Sequence, residues 1–448
     1  MRGTPESPPA PPPAECDVIV VGGGPAGSTA ATLLARRGWS VALLERDRHP
    51  RFHIGESLLP MNLPILERLG VLEAVHRIGV VKVGADFPAS NEQGYLVFRF
   101  ERALDQQWAH AYQVRRDEFD KVLFDHAVAN GVLACEGHRV ASVELGHESV
   151  AVAGKSEDGR SFRCRARYLV DASGRDTLLG NQLRIKRKSP RHQSAALFAH
   201  FRGVERRPGA DAGNVSIYRF DHGWIWLIPL PDDTMSVGAV CWPDYLKQRR
   251  TDNREFLLQT LHSIPALRQR MAHAEIVDHL HATGNYSYAC RRMAGRRWIM
   301  AGDSYAFVDP VFSSGVYLAM HAAEQAAGVV DATLREPSRE RALQRRYERQ
   351  VRHGIGTMSW FIHRFTAPAM RRLFADPRNV LQVEQAMISM LSGDVYRDNG
   401  VLWRLRVFKL IYWITALGDF REQARNYLFR RRQARGLFSG GTTSQDST

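Results

Sequence analysis

Gly22-Gly23-Gly24-Pro25-Ala26-Gly27 has the spacing G-x-G-x-x-G. Glycines at those positions allow a tight turn, close approach of the backbone to a pyrophosphate, and close packing of helix on strand. The helix that follows offers its N-terminal amides to phosphate. Glu45 comes at the spacing of a carboxylate that holds ribose hydroxyls, so a dinucleotide is expected, although a glycine-rich turn without a ligand is the bland reading. Asp303 ends Trp298-Ile299-Met300-Ala301-Gly302-Asp303, an apolar strand entering a polar turn, where it either meets a ligand or caps the next helix. Lys82 alternates with Val81 and Val83; its face is solvent, as for most strand lysines, or a site, and the valines suggest a buried strand. Trp224 and Trp226, two residues apart, share one face of a strand, as core or as the wall of a site. Ser314 and Gly315 lie in a turn entering a helix, whose amides either cap that helix or suit an anion.

These residues need a scaffold, and the chain order supplies one. An apolar strand over 17–21, an alanine-rich helix over 27–37 and a second apolar strand over 39–45 make a βαβ unit. The strand before Asp303 repeats the pattern far downstream, which implies that distant sequence completes the first fold around an inserted domain. In that insertion, short strands over 194–204, 214–220, 223–229 and 234–242 are separated by turn residues, as in an antiparallel sheet that would contact substrate. From about 313 the chain becomes helical, with amphipathic stretches over 317–334 and 339–352 and further helices to about 435.

Gln113-Val114-Arg115-Arg116-Asp117-Glu118-Phe119-Asp120 resembles the segment that carries an arginine to the flavin in glutathione-reductase-type flavoproteins, with Arg116 in the matching place. In the same superfamily the position of Val140 contacts adenine, that of Asp303 the ribityl chain, and Asp171-Ala172-Ser173-Gly174-Arg175 resembles the turn that closes the FAD domain. Four further segments are similar to those of the flavin-dependent halogenases. Gly55-Glu56-Ser57 resembles their segment against the isoalloxazine, and Gly223-Trp224-Ile225-Trp226-Leu227-Ile228-Pro229 carries their W-x-W-x-I-P signature. Val81 to Phe87 resembles the strand with their essential lysine, here Lys82, and Phe307 to Gly315 matches F-x-x-P-x-x-S-x-G, with Pro310, Ser314 and Gly315.

The resemblance implies an α/β fold: a glutathione-reductase-type FAD-binding domain (16–185 and 280–335), an inserted antiparallel β-sheet substrate domain (186–279) and a helical C-terminal region (336–436), between a disordered lead-in (1–15) and tail (437–448). It implies FAD delivered reduced by a separate flavin reductase, dioxygen, and chloride or bromide held at Ser314 and Gly315. Trp224 and Trp226 would separate substrate from flavin, while hypohalous acid passes to Lys82 and halogenates an electron-rich aromatic. Phe312 stands where tryptophan halogenases have a catalytic glutamate, which points to the phenol- or pyrrole-directed branch and to a substrate that is free or tethered to an acyl or peptidyl carrier protein. An aromatic hydroxylase or prenyl-chain reductase shares the FAD segments and is the alternative; a flavin-binding protein with nonspecific polyanion affinity is the non-enzyme reading.

Length and composition are those of a globular enzyme rather than a small binding module. The net charge of +14 would attract any polyanion, yet no nucleic-acid-binding module accompanies it and no specific nucleic acid is expected. Five scattered cysteines suggest neither disulfides nor a metal site and fit a reducing cytoplasm. The proline-rich N-terminus lacks the apolar core of a signal peptide, and no membrane span is expected: Arg404, Arg406 and Lys409 interrupt the most apolar run, 401–418, which reads as a bundle helix.

Overall fold

In the computed structural model of the protein, residues 11–88, 94–375, 380–418 and 428 are described. The first apolar run is the strand Glu15–Val21, in which Val18, Ile19 and Val20 are fully buried. Burial on both faces is what a parallel sheet covered by helices requires. Val41–Leu44 and Ser161–Asp171 flank it, both parallel to it, and Leu133–Cys135 and Trp298–Met300 extend the parallel set outward. The strand before Asp303 is therefore part of the first sheet. The helix Pro25–Ala35 leaves the glycine turn and packs with Gly315–Arg335. Both carry fully buried alanines, among them Ala30, Ala31, Ala323 and Ala326, whose small side chains permit close helix approach.

The second sheet runs in the order Ala306–Phe307, His281–Cys290, Lys186–Arg202, Met235–Cys241, Gly223–Pro229, Val215–Phe220, Gly84–Pro88, Tyr95–Arg99. Its pairs are antiparallel except that of Val215–Phe220 with Gly84–Pro88, which is parallel. The sheet thus reaches beyond the expected segment 186–279, drawing strands from both flanks. Gly223–Pro229 is buried at every position, so it needs neighbours on each side as well as cover on each face. Its Trp224, Trp226 and Ile228 enter one core, shared with helices of the C-terminal region; Ile225 and Leu227 enter another, under Phe256, Leu257 and Leu261.

Two expectations need correction. Residues 81–87 are not one strand: Gly79–Lys82 pairs with Ala111–Val114 in a separate two-stranded sheet, and Gly84–Pro88 joins the second sheet. The break falls at Val83, whose N–H donates to Asn214 Oδ1 at 3.1 Å. Burial is also inverted there, because Val81 is 43% exposed while Lys82 is 1% exposed. The valine beside the lysine faces out, and the lysine faces in.

After Gly315–Arg335, which belongs to the FAD-binding segment, the described C-terminal region contains the helices Glu340–Ile362, Pro368–Ala375, Val383–Leu391 and Val401–Gly418. The last packs through Leu405, Phe408 and Tyr412, and leaves Leu410, Ile414 and Leu417 exposed. No helix among the described residues is long and apolar enough to cross a membrane. Residues 1–10 of the expected lead-in, the arginine-rich stretch after 418 except Leu428, and the tail 437–448 lie outside the described residues.

The tightest joint in the first sheet is at Gly27, where a Cβ would stand 1.7 Å from the carbonyl oxygen of Gly22. Gly27→Ala should therefore destabilise the fold by about 1–3 kcal/mol through overpacking, seen as a lower Tm in thermal unfolding. An unchanged Tm would mean that helix and turn separate without cost.

Candidate active site

Gly22 has a φ of +103°, and a Cβ there would meet the carbonyl oxygen of Ala172 at 2.3 Å. Only glycine satisfies both conditions. Gly24 differs: the nearest atom to a Cβ on it is Arg51 Nη2, at 3.4 Å. It is the N-cap of Pro25–Ala35 and supplies no capping side chain, which leaves the helix N-terminus to a phosphate. Glu45 ties the end of its strand to this turn, Oε2 accepting from the Gly23 N–H at 2.6 Å and Oε1 from the Asp47 N–H at 3.0 Å.

From this turn a cavity of about 670 Å³ runs between the two sheets. Gly22, Gly24, Ala26, Glu45, Gly55, Glu56, Ser57, Arg116, Val140, Asp303, Pro310, Gly315, Trp224 and Trp226 all line it. Gly27, Lys82 and Ser314 do not: Lys82 stands behind Ser57, and Gly27 and Ser314 adjoin the lining residues Ala26 and Gly315 in the chain. The cavity is polar at the helix N-terminus and apolar where Ala196, Val215, Ile217, Ile228 and the two tryptophans meet it. That gradient, with a glycine cradle at one end, fits FAD: pyrophosphate at the turn and the ring system toward the second sheet. Among the described residues no group of His, Cys, Asp and Glu could hold a metal ion.

Arg116 is less free than a flavin-contacting arginine would be. Its Nε and Nη2 donate to Asp120 at 2.8 and 3.0 Å, and Nη1 donates to the Ile54 carbonyl at 2.7 Å. Arg51 adds a second cation to Asp120 at 3.1 Å. Arg116 and Arg51 hold the Asp120 carboxyl below the ordinary range against the effect of burial. The cluster fixes the loop that carries Gly55, Glu56 and Ser57.

Lys82 Nζ donates to Ser57 Oγ at 2.9 Å and to the Leu58 carbonyl at 3.1 Å, and lies 5.4 Å from the centre of the Phe100 ring. Burial lowers its pKa to about 7, with Asp86 opposing. The amine is thus joined to the cavity wall through one hydroxyl. Trp224 and Trp226 have ring centroids 5.7 Å apart, and Trp226 Nε1 donates to Ser236 Oγ at 3.2 Å.

At the far side of the cavity Ser313 adopts a left-handed φ of +56°, and the helix Gly315–Arg335 begins after it. Ser314 Oγ is buried with no hydrogen-bond partner, and a Cβ on Gly315 would meet nothing within 4 Å. An orphaned hydroxyl and uncapped amides at a helix N-terminus are groups that a small anion could satisfy. Phe312 is buried against Phe365, with ring centroids 5.4 Å apart.

The sequence reading missed His200. Its Nε2 lies 2.7 Å from Glu56 Oε1 and its Nδ1 lies 2.7 Å from Asp278 Oδ2. The available signal was a histidine inside the apolar run Leu197-Phe198-Ala199-His200-Phe201. Asp278, whose partner comes from another strand, left no local sign; Asp120 stands four residues after Arg116, a spacing legible in the sequence.

Asp303 lies half-buried on the cavity wall, where burial raises its pKa to about 6 despite Arg175 and Arg116. A ribityl hydroxyl donating to it would favour the carboxylate. FAD affinity should accordingly be weakest below the raised pKa, increase as pH rises through about 6, and then level off. Asp303→Asn should bind FAD about 10-fold more weakly at neutral pH and lose that step. Fluorescence titrations across this range check both, and an unaltered pH dependence in the variant would move the effect to another group.

The FAD binding domain family matches residues 15–357. The chain is 37% identical over 329 residues to a tryptophan 2-halogenase of Chondromyces crocatus, the match covering 72% of this chain and 62% of that protein. It is 29% identical over 409 residues to a 1H-pyrrole-2-carbonyl (peptidyl-carrier protein) chlorinase of Pseudomonas fluorescens, covering 85% of this chain and 89% of that one. With the flavin-dependent halogenase rdc2 of Metacordyceps chlamydosporia it shares 31% identity over 369 residues, 76% of this chain and 70% of the relative. Among solved structures, the myxobacterial chondrochloren halogenase CndH superposes with a TM-score of 0.74 at 31% identity, over 86% of this chain and 92% of that one. An FAD-type cradle, a buried lysine behind Ser57 and these relatives together place the chain in the flavin-dependent halogenase family.

Proposed function

We propose that this protein halogenates an electron-rich aromatic substrate, phenolic or pyrrolic, with chloride or bromide, using dioxygen and FAD delivered reduced by a separate flavin reductase in the cytoplasm. Lys82 carries the reading: a fully buried amine one hydroxyl away from the cavity, with its pKa brought to about 7 by burial. An ordinary strand lysine would extend to water.

When bound, reduced FAD would bring dioxygen to the peroxide level, the oxidant that converts halide to hypohalous acid. The orphaned Ser314 hydroxyl and the helix N-terminus at Gly315 hold the halide. Trp224 and Trp226 fill the cavity wall and keep an aromatic substrate off the ring system. Lys82 then holds the hypohalous acid by a charge-assisted hydrogen bond, or takes the halogen on its neutral amine, which becomes abundant as pH rises through about 7. Phe312 offers no carboxylate, which suits a phenol or pyrrole that activates its own ring. The carrier-protein chlorinase among the relatives, together with the charge of +14, supports a substrate presented on an acidic carrier.

Mass spectrometry of products from phenolic and pyrrolic panels, free and carrier-bound, tests the reaction type. A mass shift and isotope pattern that follow the halide supplied are expected. Rapid reduction of the bound flavin by NADPH alone would instead indicate a hydroxylase. Lys82→Ala and Lys82→Met should retain FAD binding, oxygen consumption and peroxide release, yet lose about 10-fold to 100-fold or more in halogenated product, the worth of a charge-assisted hydrogen bond. Product at the wild-type rate from either variant would remove Lys82 from the chemistry. A bulky residue at Gly315, where the space is open, should raise the halide concentration required for turnover while FAD stays bound. Loss of FAD instead would give the turn to the cofactor.

A further inference from the structure

His200 is held by a carboxylate on each ring nitrogen. Asp278 grips it twice, Oδ2 facing Nδ1 at 2.7 Å and Oδ1 accepting the His200 backbone N–H at 2.9 Å. Glu56 Oε1 faces Nε2, also at 2.7 Å. A neutral imidazole donates from one nitrogen only, whereas the imidazolium donates from both, so this geometry is satisfied by the protonated ring.

Every charged or titratable group facing the ring has a direction. Burial opposes the imidazolium, while Glu56 on the cavity loop and Asp278 on the segment before His281–Cys290 favour it. Arg115, at the start of the helix Arg116–Ala129, pulls the other way, and His281 Nε2 lies 3.7 Å from the far side of the same Asp278 oxygen. The result is a His200 pKa above its ordinary value.

Glu56 turns this arrangement toward the cavity. It is 1% exposed and lines the wall, and its Oε2 is buried with no hydrogen-bond partner. A brace would need only Oε1. An orphaned carboxylate oxygen on the wall of a reaction cavity, coupled through its other oxygen to a charged imidazole, is the arrangement of a proton donor.

We propose that Glu56 and His200 share one proton at the cavity wall and that Glu56 releases it into the cavity once per catalytic cycle, with Asp278 as a positioning residue. The proposal rests on the halogenase reading, whose overall chemistry requires such a proton. An aromatic C–H, halide anion, dioxygen and reduced flavin, plus one proton, give the carbon–halogen bond, oxidised flavin and two waters. In the release, the His200 Nε2–H bond breaks as an O–H bond forms on Glu56 Oε1, and the carboxylic acid turns about its Cγ–Cδ bond so that this O–H faces the cavity. Its O–H bond then breaks toward the reacting oxygen, and no electrons move along the pair. His200 is left neutral with Nδ1–H on Asp278, and the pair is recharged from water when the cavity is open.

The test couples a titration to a rate. With selectively 13C-labelled histidine, His200 in the flavin-free protein should titrate above the ordinary value of about 6.5, and Asp278→Asn should lower that value. In the full enzyme with its reductase, product formation should decline as pH rises through the His200 pKa, and in Asp278→Asn the decline should move down by the same interval. Glu56→Gln, which keeps size and one hydrogen bond, should bind FAD normally, form product about 100-fold more slowly, and lose this alkaline decline. A decline that stays put while the titration moves, or wild-type turnover from Glu56→Gln, overturns the proposal. Wild-type enzyme that forms no halogenated product on any panel overturns the halogenase reading instead, and the titration still reports whether the pair holds its proton.

Discussion

The buried charge pair between Arg116 and Asp120 is the constraint from which the site follows. The two lie four residues apart on one helix face, so the pair forms as the helix forms. Its remaining donor then captures the Ile54 carbonyl. Removing Asp120 would strand the buried Arg116 charge, at a cost of about 3–5 kcal/mol. The loop held this way is stitched to Ala111–Val114 by Val114 N–H to the Glu56 carbonyl and Leu58 N–H to the Tyr112 carbonyl. The same strand pairs with the one that ends in Lys82. One ion pair thus sets Glu56, Ser57 and Lys82 relative to the glycine turn.

Burial then acts on two cations with opposite results. Lys82 has neutral oxygens as hydrogen-bond partners, and Asp86 only partly offsets its desolvation, so it gives up its charge near neutrality. His200 has a carboxylate on both nitrogens, and it retains its charge above its ordinary value. The difference lies in partner identity, since both side chains are shielded from water. The fold therefore pairs a lysine brought down toward neutrality with a histidine raised above its ordinary value.

Local patterns made much of this legible. The glycine turn and its flanking apolar runs place the first βαβ unit within a residue or two, because a parallel strand buried on both faces reads as an unbroken apolar run. Gly223–Pro229, although antiparallel to its neighbours, is also buried at every position and was legible as an apolar run. The lysine strand was not, since alternation around Lys82 reports two faces without saying which one is inside, and the break at Val83 depends on Asn214 from a distant turn. Asp278 escaped because its role arises from a tertiary partner, and the edge strand Tyr95–Arg99 because pairing across a sheet leaves little trace in a single strand.

Lys82 is separated from the cofactor cavity by the Ser57 hydroxyl. On the proposed chemistry, the oxidant would be made on the cavity side of that hydroxyl and spent on the lysine side. The two tasks would then fall to different sets of side chains. For protein engineering, the two are separate handles, and a change of substrate need not disturb the chemistry of the flavin.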